Sequence, residues 1–216
     1  MKFNKNCVAG IASLFISVTA LAQDTQSGKL SPYVFPEFVT GTVLQKGGAS
    51  LEASLNYNTI TEEMMFEKDG QKLVLDQGNI IDTIYLNKRK FIPARQVFFE
   101  KITNTLTALF VQHRGKAIKS NFKSNNENQA ASMNAKKAEA PTVDKYALLL
   151  PDGYVMQTDD KYWLQKGMEF IPLTSLKKII DQFAGKEAQI ENFVKDNNIS
   201  LNKAGDLIKL IEFCNK

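Results

Sequence analysis

His113 is the only histidine among 216 residues, and this alone narrows the chemistry open to the chain. A histidine-rich zinc site is excluded, and a Ser-His-Asp triad would have to use this one imidazole. It sits in Val111-Gln112-His113-Arg114-Gly115 beside a predicted strand end, so the expectation is an exposed residue flanking a turn. No Gly-x-Ser-x-Gly elbow accompanies it. Cys214 could act as a nucleophile only if its thiol pKa were lowered. It closes a predicted helix, where the negative end of the dipole disfavours a thiolate, so a buried or incidental thiol is expected.

The acidic pairs Glu62-Glu63 and Asp159-Asp160 flank predicted turns. Adjacent residues of a strand point to opposite faces, so neither pair is by itself a shared carboxylate site. Glycoside hydrolysis or calcium binding would need distant carboxylates to converge. Their spacing fits no calcium loop, and no phosphate-cradling glycine motif is present. The sequence therefore assigns no catalytic, metal or cofactor-binding residue, and no cofactor is expected. The remaining candidates are contacts. Lys88-Arg89-Lys90 runs into Phe91, and Tyr162 and Trp163 are adjacent aromatics near a later strand. Arg89, Phe91, Tyr162 and Trp163 are the residues expected to touch a ligand or partner, although a charged turn and a packed core explain the same residue types more simply.

The elements that would position these residues are mostly strands. Residues 37–164 read as an antiparallel β-meander, a curved sheet or partly open barrel. Leu51, Ala53, Leu55 and Tyr57 alternate with Glu52, Ser54 and Asn56, the period of a half-buried strand. Asp69-Gly70 marks the clearest hairpin, because both residues tolerate the positive φ of a tight turn. Further strands are expected at 80–86, 89–92, 97–102 and 106–113, with short gaps such as Asn87-Lys88 and Pro93-Ala94 that favour antiparallel neighbours. The polar stretch at about 120–144 interrupts the meander as a disordered loop, with transient helix around 130–138. Strand character returns at 146–150 and 154–157, and Lys161-Tyr162-Trp163-Leu164 is expected to be the last strand. Residues 165–216 then carry two to three short amphipathic helices. Leu176, Ile179, Ile180 and Phe183 share one helical face with Thr174 or Ser175 as N-cap, and further helices are expected at 186–196 and 203–213. The fold class is α+β. A faint echo links Phe91-Ile92-Pro93 to Phe170-Ile171-Pro172.

The N-terminus supplies the compartment. Lys2 and Lys5 precede an apolar run from Cys7 to Val18, and Ala20-Leu21-Ala22 matches a signal-peptidase site. The run is shorter than the roughly 17–25 residues of a membrane span, so residues 1–22 read as a cleaved signal peptide and 23–36 as a loose leader. Cleavage removes two lysines, so the formal charge of +4 falls by two, to +2. That balance offers no strong pull on nucleic acid or anionic membrane, and no integral membrane anchor is expected after cleavage. Cys7 departs with the signal, leaving Cys214 alone and no internal disulfide.

Gly41 to Phe66, with Leu55-Asn56-Tyr57-Asn58 and Glu62-Glu63-Met64-Met65-Phe66, then Arg89-Lys90-Phe91-Ile92-Pro93 and the C-terminal Asp206-Leu207-Ile208-Lys209-Leu210, resemble a group of secreted proteins of gut- and marine-type Gram-negative bacteria (Bacteroidota-type). That group carries no assigned activity; the resemblance implies export and architecture only. The expected function is that of an exported cell-envelope protein, a non-enzymatic binding or scaffold module. Its expected location is the periplasm, outer surface or extracellular space, and its expected partner another envelope protein. A carrier of a small apolar ligand in the curved sheet is the alternative, and a hydrolase with an unrecognised carboxylate site the second. Amino-terminal sequencing of the exported protein is expected to begin at Gln23; a sequence starting at Met1 would refute cleavage.

Overall fold

The structure, a computed structural model, describes residues 31–76, 80–120 and 143–216. The expected signal peptide, most of the leader, and the loop with its helix at 130–138 lie outside the described residues. Among the described residues twelve strands and three helices follow in order. The first seven strands are β1 (Val39–Gln45), β2 (Ser50–Asn58), β3 (Glu63–Lys68), β4 (Gln71–Val74), β5 (Ile81–Leu86), β6 (Arg89–Ala94) and β7 (Val97–Lys101). Then come β8 (Ala108–Gln112), β9 (Gly115–Lys119), β10 (Tyr154–Thr158), β11 (Lys161–Lys166) and β12 (Glu169–Pro172). The chain ends in α1 (Leu176–Ile180), α2 (Glu187–Asp196) and α3 (Ala204–Cys214).

Ten strands form one sheet in the order β12-β11-β8-β7-β6-β5-β1-β2-β3-β4, while β9 and β10 pair separately. Every pairing is antiparallel. The fold is α+β, an antiparallel sheet that is not closed into a barrel, followed by three helices. Two-residue hairpins hold the meander tight, three of them alike in backbone. Asp69-Gly70, Asn87-Lys88 and Arg95-Gln96 all place both residues at positive φ, between 47° and 74°, the backbone that matches the twist of the flanking strands.

The sheet curls strongly. Tyr57 on β2 and Phe91 on β6 are three ladders apart, yet their rings stack 6.0 Å centre to centre. Phe35, Leu55, Tyr57, Ile84, Phe91 and Phe98 fill the inside of the curl. Gly41 permits that close approach: a Cβ there would lie 2.7 Å from Leu86 Cδ1 and 2.8 Å from the Tyr85 carbonyl. Farther along the same face, Leu109 of β8 and Leu164 of β11 pack under the helices against Ile179, Ile190, Leu207 and Leu210. The Asn215 side chain ties the end of α3 to the sheet. Its Oδ1 accepts from the Thr107 amide at 2.9 Å and its Nδ2 donates to the Thr107 carbonyl at 3.1 Å.

Several expectations need correction. Residues 32–36, expected within a loose leader, are bound to β2. Tyr33 bridges Asn58, and the buried Asn56 side chain takes the Phe35 amide and gives to the Phe35 and Glu37 carbonyls. The turn expected at Pro93-Ala94 falls at Arg95-Gln96, and Pro93 belongs to β6. Pro93 is tolerated because the ladder to β5 ends at Phe91, so its missing N–H breaks no pair there. Residues 146–150 form no strand. β11 is not the last strand, since β12 lies within the stretch expected to be helical. The echoed triplets end β6 and β12, but register puts Phe91 and Phe170 on opposite faces of the sheet.

Gly41→Ala is expected to cost roughly 1–3 kcal/mol, because both the Leu86 side chain and the Tyr85 backbone must yield. Urea unfolding at neutral pH measures it; an unchanged midpoint would show that the curl does not depend on this approach.

Candidate functional site: the elbow of the β9–β10 arm

β8 and β11 pair inside the main sheet, and β9 and β10, their direct continuations, pair outside it. The ladder between the two limbs is therefore interrupted, without a change of register, at His113-Arg114 on one side and Asp159-Asp160 on the other, the elbow of the arm. At this elbow the Asp159 amide still donates to the Arg114 carbonyl at 2.8 Å, but the Arg114 amide is taken by Asp160 Oδ1 at 3.1 Å. Gly115 starts the arm against β2, its amide donating to the Thr59 carbonyl at 2.9 Å. A Cβ on Gly115 would lie 2.5 Å from Met156 Cε and 3.0 Å from Thr59 Oγ1, so a larger residue would require the end of the Met156 side chain to shift.

His113 is not exposed as expected; its side chain is 15% accessible. Its Nε2 lies 2.6 Å from Glu100 Oε2 and its Nδ1 3.4 Å from Asp160 Oδ2. A ring with a carboxylate at each nitrogen can donate to both only as imidazolium. Arg89 completes the group: Nε donates to Glu100 Oε1 at 2.6 Å and Nη2 to Glu100 Oε2. Arg89 Nη2 and His113 Nε2 are 2.9 Å apart, both directed at the shared carboxylate. The guanidinium lies 5.1 Å from the Phe35 ring centre and 5.5 Å from that of Phe91. Two cations thus face two carboxylates at the lip of the apolar core.

The environment moves these titrations in opposite senses. For His113, burial opposes the charged form, but hydrogen bonding and attraction to Asp160 and Glu100 outweigh it. Its pKa stands above the ordinary 6.5. For Glu100, burial again opposes charge, and His113 and Arg89 overcome it, holding its carboxyl below the ordinary 4.5. Tyr57 packs edge-on to His113 at 6.3 Å. Burial, reinforced by the charges of Glu62 and Asp160, raises its pKa and keeps the phenol protonated. Its hydroxyl and that of Thr61 are buried with no hydrogen-bond partner among the described residues.

A second ring of charges surrounds the first. Arg114 Nε donates to Glu62 Oε1 at 2.9 Å, Gln112 Nε2 donates to Glu62 Oε2, and Lys161 Nζ lies 2.6 Å from Asp159 Oδ1. Beside it opens a groove of about 430 Å³ whose walls include Glu62, Arg114, Lys116, Lys145 and Asp159. Four carboxylates, those of Glu62, Glu100, Asp159 and Asp160, therefore gather around His113-Arg114. Each already faces a cation or an amide. Among the described residues no group of His, Cys, Asp and Glu could hold a metal ion. No helix there is long and apolar enough to cross a membrane. Cys214 lies buried at the end of α3, and burial pushes its thiol up to about 11.

The four contact candidates divide. Register places Phe91, Glu100, Val111 and Tyr162 on one face. Arg89 belongs to the elbow network, Phe91 is wholly buried, and Tyr162 packs against the helical core. Trp163 points to the opposite face, stacked 5.2 Å from Phe99 beneath the Arg95 guanidinium. The residues that sequence reading missed are Glu100 and Asp160. Glu100 carried a signal: it alternates with Phe98 and Ile102, so period two already put a carboxylate on an apolar face. Asp160 belongs to the acidic pair read as flanking a turn, and its contact with His113 is set by pairing across the ladder rather than by its neighbours in sequence.

Comparison of the chain with protein-family models, curated proteins and solved structures returns no match.

The network imposes a pH window on stability. Glu100, with its lowered pKa, contributes above about 4.5 and loses its contribution as pH falls through its folded value. His113, with its raised pKa, contributes fully below about 6.5 and loses it as pH rises through its folded value. Both are expected to act together between about pH 4.5 and 6.5. His113→Gln should lower stability by about 3 kcal/mol and abolish the decline on the alkaline side. Urea unfolding across pH 4–9 reads both; a variant that keeps the alkaline decline would clear His113 of it.

Proposed function

We propose that the protein is an exported, non-enzymatic binding module of the cell envelope, and that it engages another envelope protein at the foot of the β9–β10 arm. The observation that carries this reading is the groove at the elbow. It is open, and it mixes Arg114, Lys116 and Lys145 with Glu62 and Asp159. Charges of both signs suit the mixed surface of a protein segment and discriminate among partners by register. They suit a uniformly anionic nucleic acid poorly. The elbow network behind the groove is satisfied within itself, so it supplies a fixed wall rather than a group poised to react.

The carrier reading draws less support, because side chains fill the inside of the curl where an apolar ligand would lie. The hydrolase reading has one observation in its favour, the convergence of four carboxylates. An acid catalyst needs a carboxyl whose pKa is raised toward the working pH, whereas that of Glu100 is lowered.

Native mass spectrometry of the full protein purified from its own envelope tests the proposal. A stoichiometric protein partner is expected, with binding lost on Lys116→Glu/Lys145→Glu while the fold, read by circular dichroism, is unchanged. A bound small molecule without any protein partner would favour the carrier instead. Binding indifferent to the charge reversal would refute the groove as the contact.

A further inference from the structure

The face of the sheet opposite the curl carries a feature that folding alone does not require. Lys90 of β6 and Lys101 of β7 are direct cross-strand neighbours. Like charges in that position repel and destabilise a sheet. Both are half-buried, and among the described residues neither takes part in an ion pair. Among the described residues the Lys90 ammonium lies 5.8 Å from the Tyr85 ring. Lys46 adds a third cation to the same groove of about 480 Å³. The acidic side chain on its wall is that of Asp82, exposed and accepting from Thr83 Oγ1 at 2.9 Å.

Thr83 and Gln165 add polar groups to the wall, and the remainder is apolar. Register sets Lys101 opposite Phe110, and Ile92, Phe110 and Phe170 line the wall beside the lysines. Phe170 meets Phe110 and Phe99 edge to face, each at 5.2 Å, which fixes the apolar shelf. Met168 at the rim is almost fully exposed; an unbranched thioether is well suited to closing over a ligand of variable shape.

We infer that this groove binds an amphiphilic anion, with a carboxylate or phosphate head held between Lys90 and Lys101 and an apolar body laid along Ile92, Phe110 and Phe170. The head supplies the negative charge that the two ammonium groups lack. The volume suits a small molecule rather than a polymer. This site is independent of the elbow: it lies on the other face of the sheet and shares no residue with the groove beside Arg114.

Titration calorimetry of the full exported chain with octanoate and with octyl phosphate, below their micelle-forming concentrations, tests the inference. One-to-one binding of at least one probe is expected, and the ratio of the two affinities tells a fatty carboxylate from a phosphate ester. Inorganic phosphate and octanol should each bind at least about tenfold more weakly, since each presents half of the chemistry. Lys90→Gln/Lys101→Gln should weaken the preferred probe about tenfold or more while raising the thermal midpoint of the free protein, because the repulsion is removed. Failure of the wild-type chain to bind either probe would overturn the site. So would octanol binding as tightly as octanoate, an affinity unchanged in the double variant, or a lowered midpoint that marked the lysines as structural.

Discussion

The contact between Glu100 and His113 is the constraint on which the rest of the site depends. A carboxylate taken out of water costs several kcal/mol unless its partners restore what solvent gave. Glu100 keeps its charge at the lip of an apolar core because Arg89 and His113 both donate to it. Those donors come from separate parts of the chain. Arg89 opens β6, Glu100 sits in β7, His113 follows β8, Asp160 precedes β11, and Phe35 of the leader covers the guanidinium. The charge is therefore held only when five segments are in register, and a slip of one strand by one residue would turn Glu100 to the other face.

The same network holds the base of the arm. There Asp160 replaces a backbone partner for the Arg114 amide and turns its other oxygen to His113. A two-stranded ribbon is marginal in water by itself, so its anchorage must come from its base. Gly115 pressed on Thr59 and the ion pairs of Arg114 and His113 supply that anchorage.

What the sequence makes legible follows the range of the interaction. The Asp69-Gly70 hairpin and the Ser175 cap of α1 depend on residues within a few positions, and local chemistry announces them. The helices show their 3.6-residue period, and α2 and α3 lie within one residue of the expected bounds. Arg95-Gln96 has no turn chemistry in its side chains; its positive φ is imposed by the pairing of Ala94 with Val97. Proline beside it pointed to the wrong dipeptide. The elbow is harder still, because a solitary histidine on a strand end reads as exposed until Glu100, thirteen residues earlier, and Asp160, beyond a long insertion, are brought to its two nitrogens.

The two faces of the sheet then handle charge in opposite ways, and the contrast carries the argument for ligand binding. On the inner face each buried charge is matched: Glu100 has two donors, and His113 has two acceptors. On the outer face Lys90 and Lys101 stand side by side, and among the described residues neither is in an ion pair. If this chain were organised for stability alone, the simplest change would be an acidic residue at either position, which would convert repulsion into a cross-strand ion pair. A fold that balances the charges of its elbow so fully, yet leaves two adjacent ammonium groups over an aromatic shelf, places its unmet attraction where a ligand can reach it.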